Sequence, residues 1–96
     1  MQSFELDKTD LMRIKEALEA DDAALKELLT EYHASEIAII LESLPQESRD
    51  RIINILPSDL ASDVLSEMDA ESHPERILEN LKPEKRSEIV EELDYD

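Results

Sequence analysis

The sequence contains no glycine and no cysteine, and aromatic residues fill only 3% of its 96 positions. Phosphate-cradling loops, EF-hand loops and type I′ hairpin turns need Gly at fixed positions, so their absence leaves a helical chain. Without Cys there is neither a disulfide framework nor a thiolate metal site, in keeping with a reducing compartment. Basic residues are scarce as well: Lys plus Arg number 10 against 26 Asp plus Glu, a formal charge of −16. Neutralising a phosphate backbone requires Lys and Arg, which makes DNA and RNA poor partners and cations or basic surfaces better ones. The longest apolar run, Ile37 to Leu41, is too short to cross a bilayer, and Met1-Gln2-Ser3-Phe4-Glu5 lacks the basic start of a secretory signal. The chain therefore reads as soluble by itself.

What the sequence does have is 41% hydrophobic residues in a periodic arrangement, which argues against disorder despite the charge. A chain of this length forms one domain at most. It buries about 60–65% of its unfolded surface and reaches a net stability of roughly 5–14 kcal/mol, so no large internal catalytic pocket is expected.

The periodicity is specific. Leu44, Leu56, Met68, Leu81 and Leu93 recur at intervals of 12, 12, 13 and 12 positions. Four residues before each anchor stands a branched apolar residue (Ile40, Ile52, Val64, Ile77, Ile89), and three before it a second apolar one (Leu41, Ile53, Leu65, Leu78, Val90). Positions i, i+1 and i+4 make one stripe of an α-helix. Each anchor is followed by punctuation: Pro45 and Glu47, Pro57 and Asp59, Asp69 and Glu71, Pro83 and Glu84. Proline suits a helix start and acids in the first turn suit the positive end of the macrodipole, so each unit is one short helix of two to three turns. Helices this short depend on stacking their apolar stripes into a shared core, which is the logic of an α-solenoid. The one longer interval contains Ser72-His73-Pro74, read as an extended linker with Pro74 in the first turn of the next helix.

Residues 1–32 are expected to form N-terminal capping helices of the same domain. One spans about Thr9 to Ala20 with Leu11, Ile14, Ala17 and Leu18 inward; the other is capped at Asp21-Asp22 and carries Ala24, Leu25, Leu28, Leu29 and Tyr32. Residues 33–96 hold the repeats, and Leu93-Asp94-Tyr95-Asp96 begins a further unit and stops, as if the chain were cut from something longer.

No enzymatic constellation is present. His33 and His73 are the only histidines, neither has a second ligand at metal-binding spacing, and the serines occupy caps and polar faces; both histidines read as polar helix-end residues. The acids are more informative. No basic residue lies between Arg51 and Arg76, a span holding Asp59, Asp63, Glu67, Asp69, Glu71 and Glu75. At 100° per residue, Asp59, Asp63 and Glu67 fall near about 0°, 40° and 80°, while Leu60, Val64, Leu65 and Met68 cover about 100–240°. Such a stripe repels itself by a few tenths of a kcal/mol per pair. A hard divalent cation would relieve that, and Mg²⁺ commonly takes one or two carboxylates while keeping its waters. The same pattern also suits a solvated acidic face, and periodicity does not separate the two.

The run from His33 to Pro45, followed by Ile55-Leu56-Pro57 and Val64-Leu65-Ser66-Glu67-Met68, resembles the cytosolic N-terminal domain of MgtE-type magnesium transporters. Against the opening motif H-P-x-D-[IL]-A-x-L-L-E-x-L, this chain has Ala34 for Pro and Glu36 for Asp; Ser35 remains available as a cap and Glu36 keeps the charge. The resemblance covers roughly residues 8–96. It implies an all-α, right-handed superhelix of armadillo-like form, followed in the whole protein by a pair of CBS domains and a dimeric transmembrane pore. It further implies a regulatory Mg²⁺ sensor on the cytoplasmic face of the membrane. Acids of this domain would face acids of the CBS domains with ions bridging them, and loss of the ions would let like charges part the two. Asp63 and Asp96 match acidic ligand positions of the family, and Asp59 and Glu67 share the stripe with Asp63. The rival reading is a protein-interaction scaffold similar to the helical domains of flagellar motor-switch proteins, with acids that only solvate. Downstream sequence discriminates the two: CBS domains and apolar spans on one side, further helical repeats on the other.

Overall fold

A computed structural model describes residues 7–93, and every regular element among them is helical. The helices are α1 (Lys8–Ala20), α2 (Asp22–Leu29), α3 (Ala34–Glu42), α4 (Gln46–Ile55), α5 (Ser58–Glu67), α6 (Pro74–Asn80) and α7 (Pro83–Leu93), with a 3₁₀ turn at Ala70–Ser72. None is long and apolar enough to cross a membrane.

Helix starts follow from local chemistry. Asp7 and Asp21 accept the backbone N–H groups of Asp10 and Ala24 at 2.9 and 2.8 Å, each satisfying an orphan donor of the first turn. Pro45 and Pro57 stand at the cap positions of α4 and α5, while Pro74 and Pro83 open α6 and α7, where a missing N–H has no consequence. At α3 the cap position is His33, not Ser35. Glu36 reaches back to the His33 N–H at 2.9 Å and Ser35 is left exposed.

Helix ends are the consequence of having no glycine. The common C-terminal device places Gly in the left-handed region so that the last carbonyls are bonded by the turning backbone. Here basic side chains take over that task at three helices. Arg49 donates through Nε to the Leu41 and Leu44 carbonyls (2.7 and 2.9 Å) and through Nη2 to that of Glu42 (3.1 Å), closing α3. Arg51 donates through Nη1 to the Leu18 carbonyl of α1 at 2.6 Å and through Nε to Asp22 at 2.9 Å, so α1 and α2 are joined at their shared corner. Lys85 donates to the Leu56 carbonyl beyond α4.

The helices pack in two rows. In one, α2, α4 and α6 follow each other; in the other, α3, α5 and α7 do, while α1 packs on α2. The shortest extent, 21 Å, is two helix diameters. Between the rows runs a single core containing Ile14, Leu25, Leu29, Ile37, Ile40, Leu41, Ile52, Ile53, Leu56, Val64, Ile77 and Ile89, all fully buried. All five leading residues of the repeat are inside, as are the first four anchors. The expectation fails at the edges of the stripe. Ala24 is exposed, Leu60 and Leu78 are half-buried, and Val90 is 46% exposed, because α7 packs chiefly on α5 and its far side meets no further helix among the described residues.

Candidate functional site

The acidic stripe lies on α5, whose inward face is Ala61, Ser62, Val64 and Leu65, with Met68 following. Ser62 is the one buried polar residue among the described residues, and its hydroxyl is satisfied by donating to the Asp59 carbonyl at 2.8 Å. The N-terminal end of α5 is tied to α7, where Ser58 donates to Glu88 at 2.7 Å. Packing on both α3 and α7 leaves α5 little freedom to rotate, so its outer face is fixed.

That outer face presents Asp59, Asp63 and Glu67, all exposed. Asp59 accepts from the Leu60 N–H at 2.9 Å, a bond within the first turn. Asp63 and Glu67 have no hydrogen-bond or ion-pair partner among the described residues. The ion pairs among those residues lie elsewhere: Arg13 with Glu31 at 3.4 Å, Arg51 with Asp22 at 2.9 Å, and His73 with Glu75 at 3.0 Å. Arg49, Arg51 and Lys85 bond carbonyls at helix ends, and none of the ion pairs among the described residues includes a carboxylate of the stripe. Asp96 lies outside the described residues.

Several other acids are already engaged. Asp50 accepts from Gln46 and Asn80 at 2.8 and 2.9 Å, Glu42 from the Asp69 N–H at 3.0 Å, and Asp10 from the Tyr32 hydroxyl at 2.8 Å. Burial, and then the bond to Asp10, push the Tyr32 phenol above its ordinary value. Glu75 is held below the usual carboxylate range by a backbone N–H bond and then by His73. Both histidines are exposed and stand at helix starts.

The donor chemistry of the stripe suits Mg²⁺, since exposed carboxylate oxygens without protein partners are hard ligands free to bind. Among the described residues, however, no group of three or more acids and histidines converges closely enough to hold an ion. One or two carboxylates from this face would leave the remaining positions to water or to a second surface. Sequence reasoning located this stripe but missed Arg49, Arg51 and Lys85. Their carbonyl partners lie on other helices or the connectors between them, up to 33 positions away, and no local pattern announces them.

The model of one protein family, described as the MgtE intracellular N domain, matches residues 32–96. The chain belongs to that family. No curated relative and no solved structure matches it. The matched segment of this MgtE N domain begins at Tyr32, immediately before α3, and takes in the repeated short helices and the acidic face of α5. Membership connects the chain to magnesium transport and to the intracellular side of the membrane.

Proposed function

We propose that this MgtE N domain is a regulatory Mg²⁺ sensor of a divalent-cation transporter, a non-catalytic unit that docks through bridging ions onto the CBS domains of the same protein. The observation that carries the reading is the unpaired carboxylate face of α5. Asp63 is its central ligand, Asp59 and Glu67 flank it on the same face, and Asp96 is a further ligand. The two rows of short helices form a right-handed, armadillo-like superhelix, with residues 1–32 closing one end and 33–96 supplying the repeats. The transporter is a homodimer whose CBS domains and pore follow this domain in the chain.

Gating then follows from electrostatics. A Debye length of about 8 Å at physiological salt confines repulsion to carboxylates brought close together, so two acidic surfaces dock stably only with cations between them. Ions bound favour the closed state; ions lost let the domains part. This domain supplies only part of each ion's coordination, so its own affinity for Mg²⁺ is weak, on the order of millimolar.

The test is a protease-protection titration against Mg²⁺ on the full-length transporter, comparing wild type, Asp63→Ala and a control at Glu19, outside the acidic span. Asp63→Ala is expected to move the protection midpoint to higher Mg²⁺ with helicity intact, and the Glu19 variant to leave it in place. An unchanged midpoint for Asp63→Ala removes that residue from the sensor. Unchanged midpoints for Asp59, Glu67 and Asp96 variants as well would make the stripe mere solvation and favour the scaffold reading.

A further inference from the structure

The repeat has one irregular interval, between Met68 and Leu81, and the connector 69–73 occupies it as a 3₁₀ turn ending at His73. Two side chains from earlier helices hold this connector. Glu42, the last residue of α3, accepts from the Asp69 N–H at 3.0 Å, and Arg49 of α4 donates through Nη1 to the Ser72 carbonyl at 3.2 Å. The same guanidinium closes α3 through the Leu41, Glu42 and Leu44 carbonyls. His73 itself sits in the left-handed region at φ 58°, the one positive φ among the described residues. A residue with a Cβ stays there only where its surroundings over-determine it.

A guanidinium is a rigid planar fork, and here it spans four carbonyls on two segments, 41–44 and 72, the second 23 positions beyond Arg49 itself. It cannot swing away from Ser72 without also losing alignment with the α3 carbonyls. We propose that the C-terminal end of α3 and the connector 69–73 form one cooperative opening unit, coupled through Arg49, that opens below the global unfolding free energy. This inference is independent of the ion-docking reading and stands or falls separately from it.

Native-state amide hydrogen exchange on the 96-residue chain tests it. The Ser43 and Leu44 amides, bonded to the Ile40 and Leu41 carbonyls, report on the end of α3. Those of Ser72 and residue 73, bonded to the Asp69 and Ala70 carbonyls, report on the connector. Ile53 and Leu56 serve as core controls. Arg49→Lys keeps the charge but loses the fork. In the wild type the four reporters should share one protection factor, at least tenfold below that of the controls, and Arg49→Lys should lower all four by one common factor of about tenfold. His73→Val, which strains only the connector, should lower Ser43 and Leu44 together with Ser72 even though it touches nothing in α3, and it serves if the Arg49 variant does not fold. Loss confined to the connector in His73→Val overturns the coupling. So do wild-type reporters as strongly protected as Ile53 and Leu56, which would make their opening global, or a connector already exchanging at free-chain rates in the wild type.

Discussion

The Tyr32 phenol donates to the Asp10 carboxylate while half-buried against α1, an arrangement that only its neutral form satisfies. Burial and the carboxylate both raise its pKa on folding, so the folded state holds this proton more tightly than the unfolded chain does. The stability it contributes is therefore fully present below the unfolded value of about 10 and is lost as pH rises through the higher folded value. Urea unfolding at a series of pH values from 8 upward should show stability falling above pH ~10, beyond what general charge accumulation causes. Tyr32→Phe should cost about 0.5–1.5 kcal/mol at neutral pH and flatten that alkaline decline. An equal decline in both proteins would mean that Tyr32 is not the titrating group.

Each short helix is stable only by what it packs against, and the burial of the repeat positions turns this into numbers that can be checked. Leu56 is fully buried and Leu65 is 5% exposed, so replacing either with Ala should cost roughly 2–5 kcal/mol by denaturant unfolding. Val90 occupies the same repeat position as Leu65 but is 46% exposed, and Val90→Ala should cost less than about 0.5 kcal/mol in this chain. Comparable losses at Leu65 and Val90 would contradict the packing described. The contrast also marks what could be read from the sequence. Ile40, Ile52, Val64, Ile77 and Ile89 were legible as core because periodicity along a helix fixes which face is apolar. Val90 was not, because whether an apolar face meets a neighbour depends on where the helix falls in its row. For the same reason the C-terminal closures by Arg49, Arg51 and Lys85 escaped the sequence: glycine's absence shows that the usual cap is missing, and only the fold shows which side chain replaces it. In the candidate site, the i, i+4, i+8 spacing of Asp59, Asp63 and Glu67 was enough to predict a shared face. That Asp63 and Glu67 lack partners could be seen only by knowing where the neighbouring side chains go.

At the scale of the whole molecule, a formal charge of −16 is offset by few ion pairs among the described residues, and the compact state works against its own repulsion. Raising NaCl from about 0.01 to 0.15 M shortens the Debye length from about 30 to 8 Å and should raise the thermal midpoint of the isolated chain without any specific site. Mg²⁺ at matched ionic strength adds a second contribution if carboxylates of α5 bind it. Linkage at about 10 mM Mg²⁺ gives about 0.4–1.4 kcal/mol for a dissociation constant between about 10 and 1 mM. In a domain of this size that is a rise of roughly 2–11 °C. Asp63→Ala removes one charge from the stripe, so its midpoint in NaCl alone should rise slightly or stay level, because one repulsive neighbour of Asp59 and Glu67 is gone. The additional rise given by MgCl₂ should shrink in the same variant, since the ion has lost its central carboxylate. The two responses move in opposite directions and so separate screening from ligation. Superimposable NaCl and MgCl₂ curves in the wild type would show that this face meets Mg²⁺ only as ionic atmosphere, and any sensing by the domain would then have to arise wholly at the docked interface.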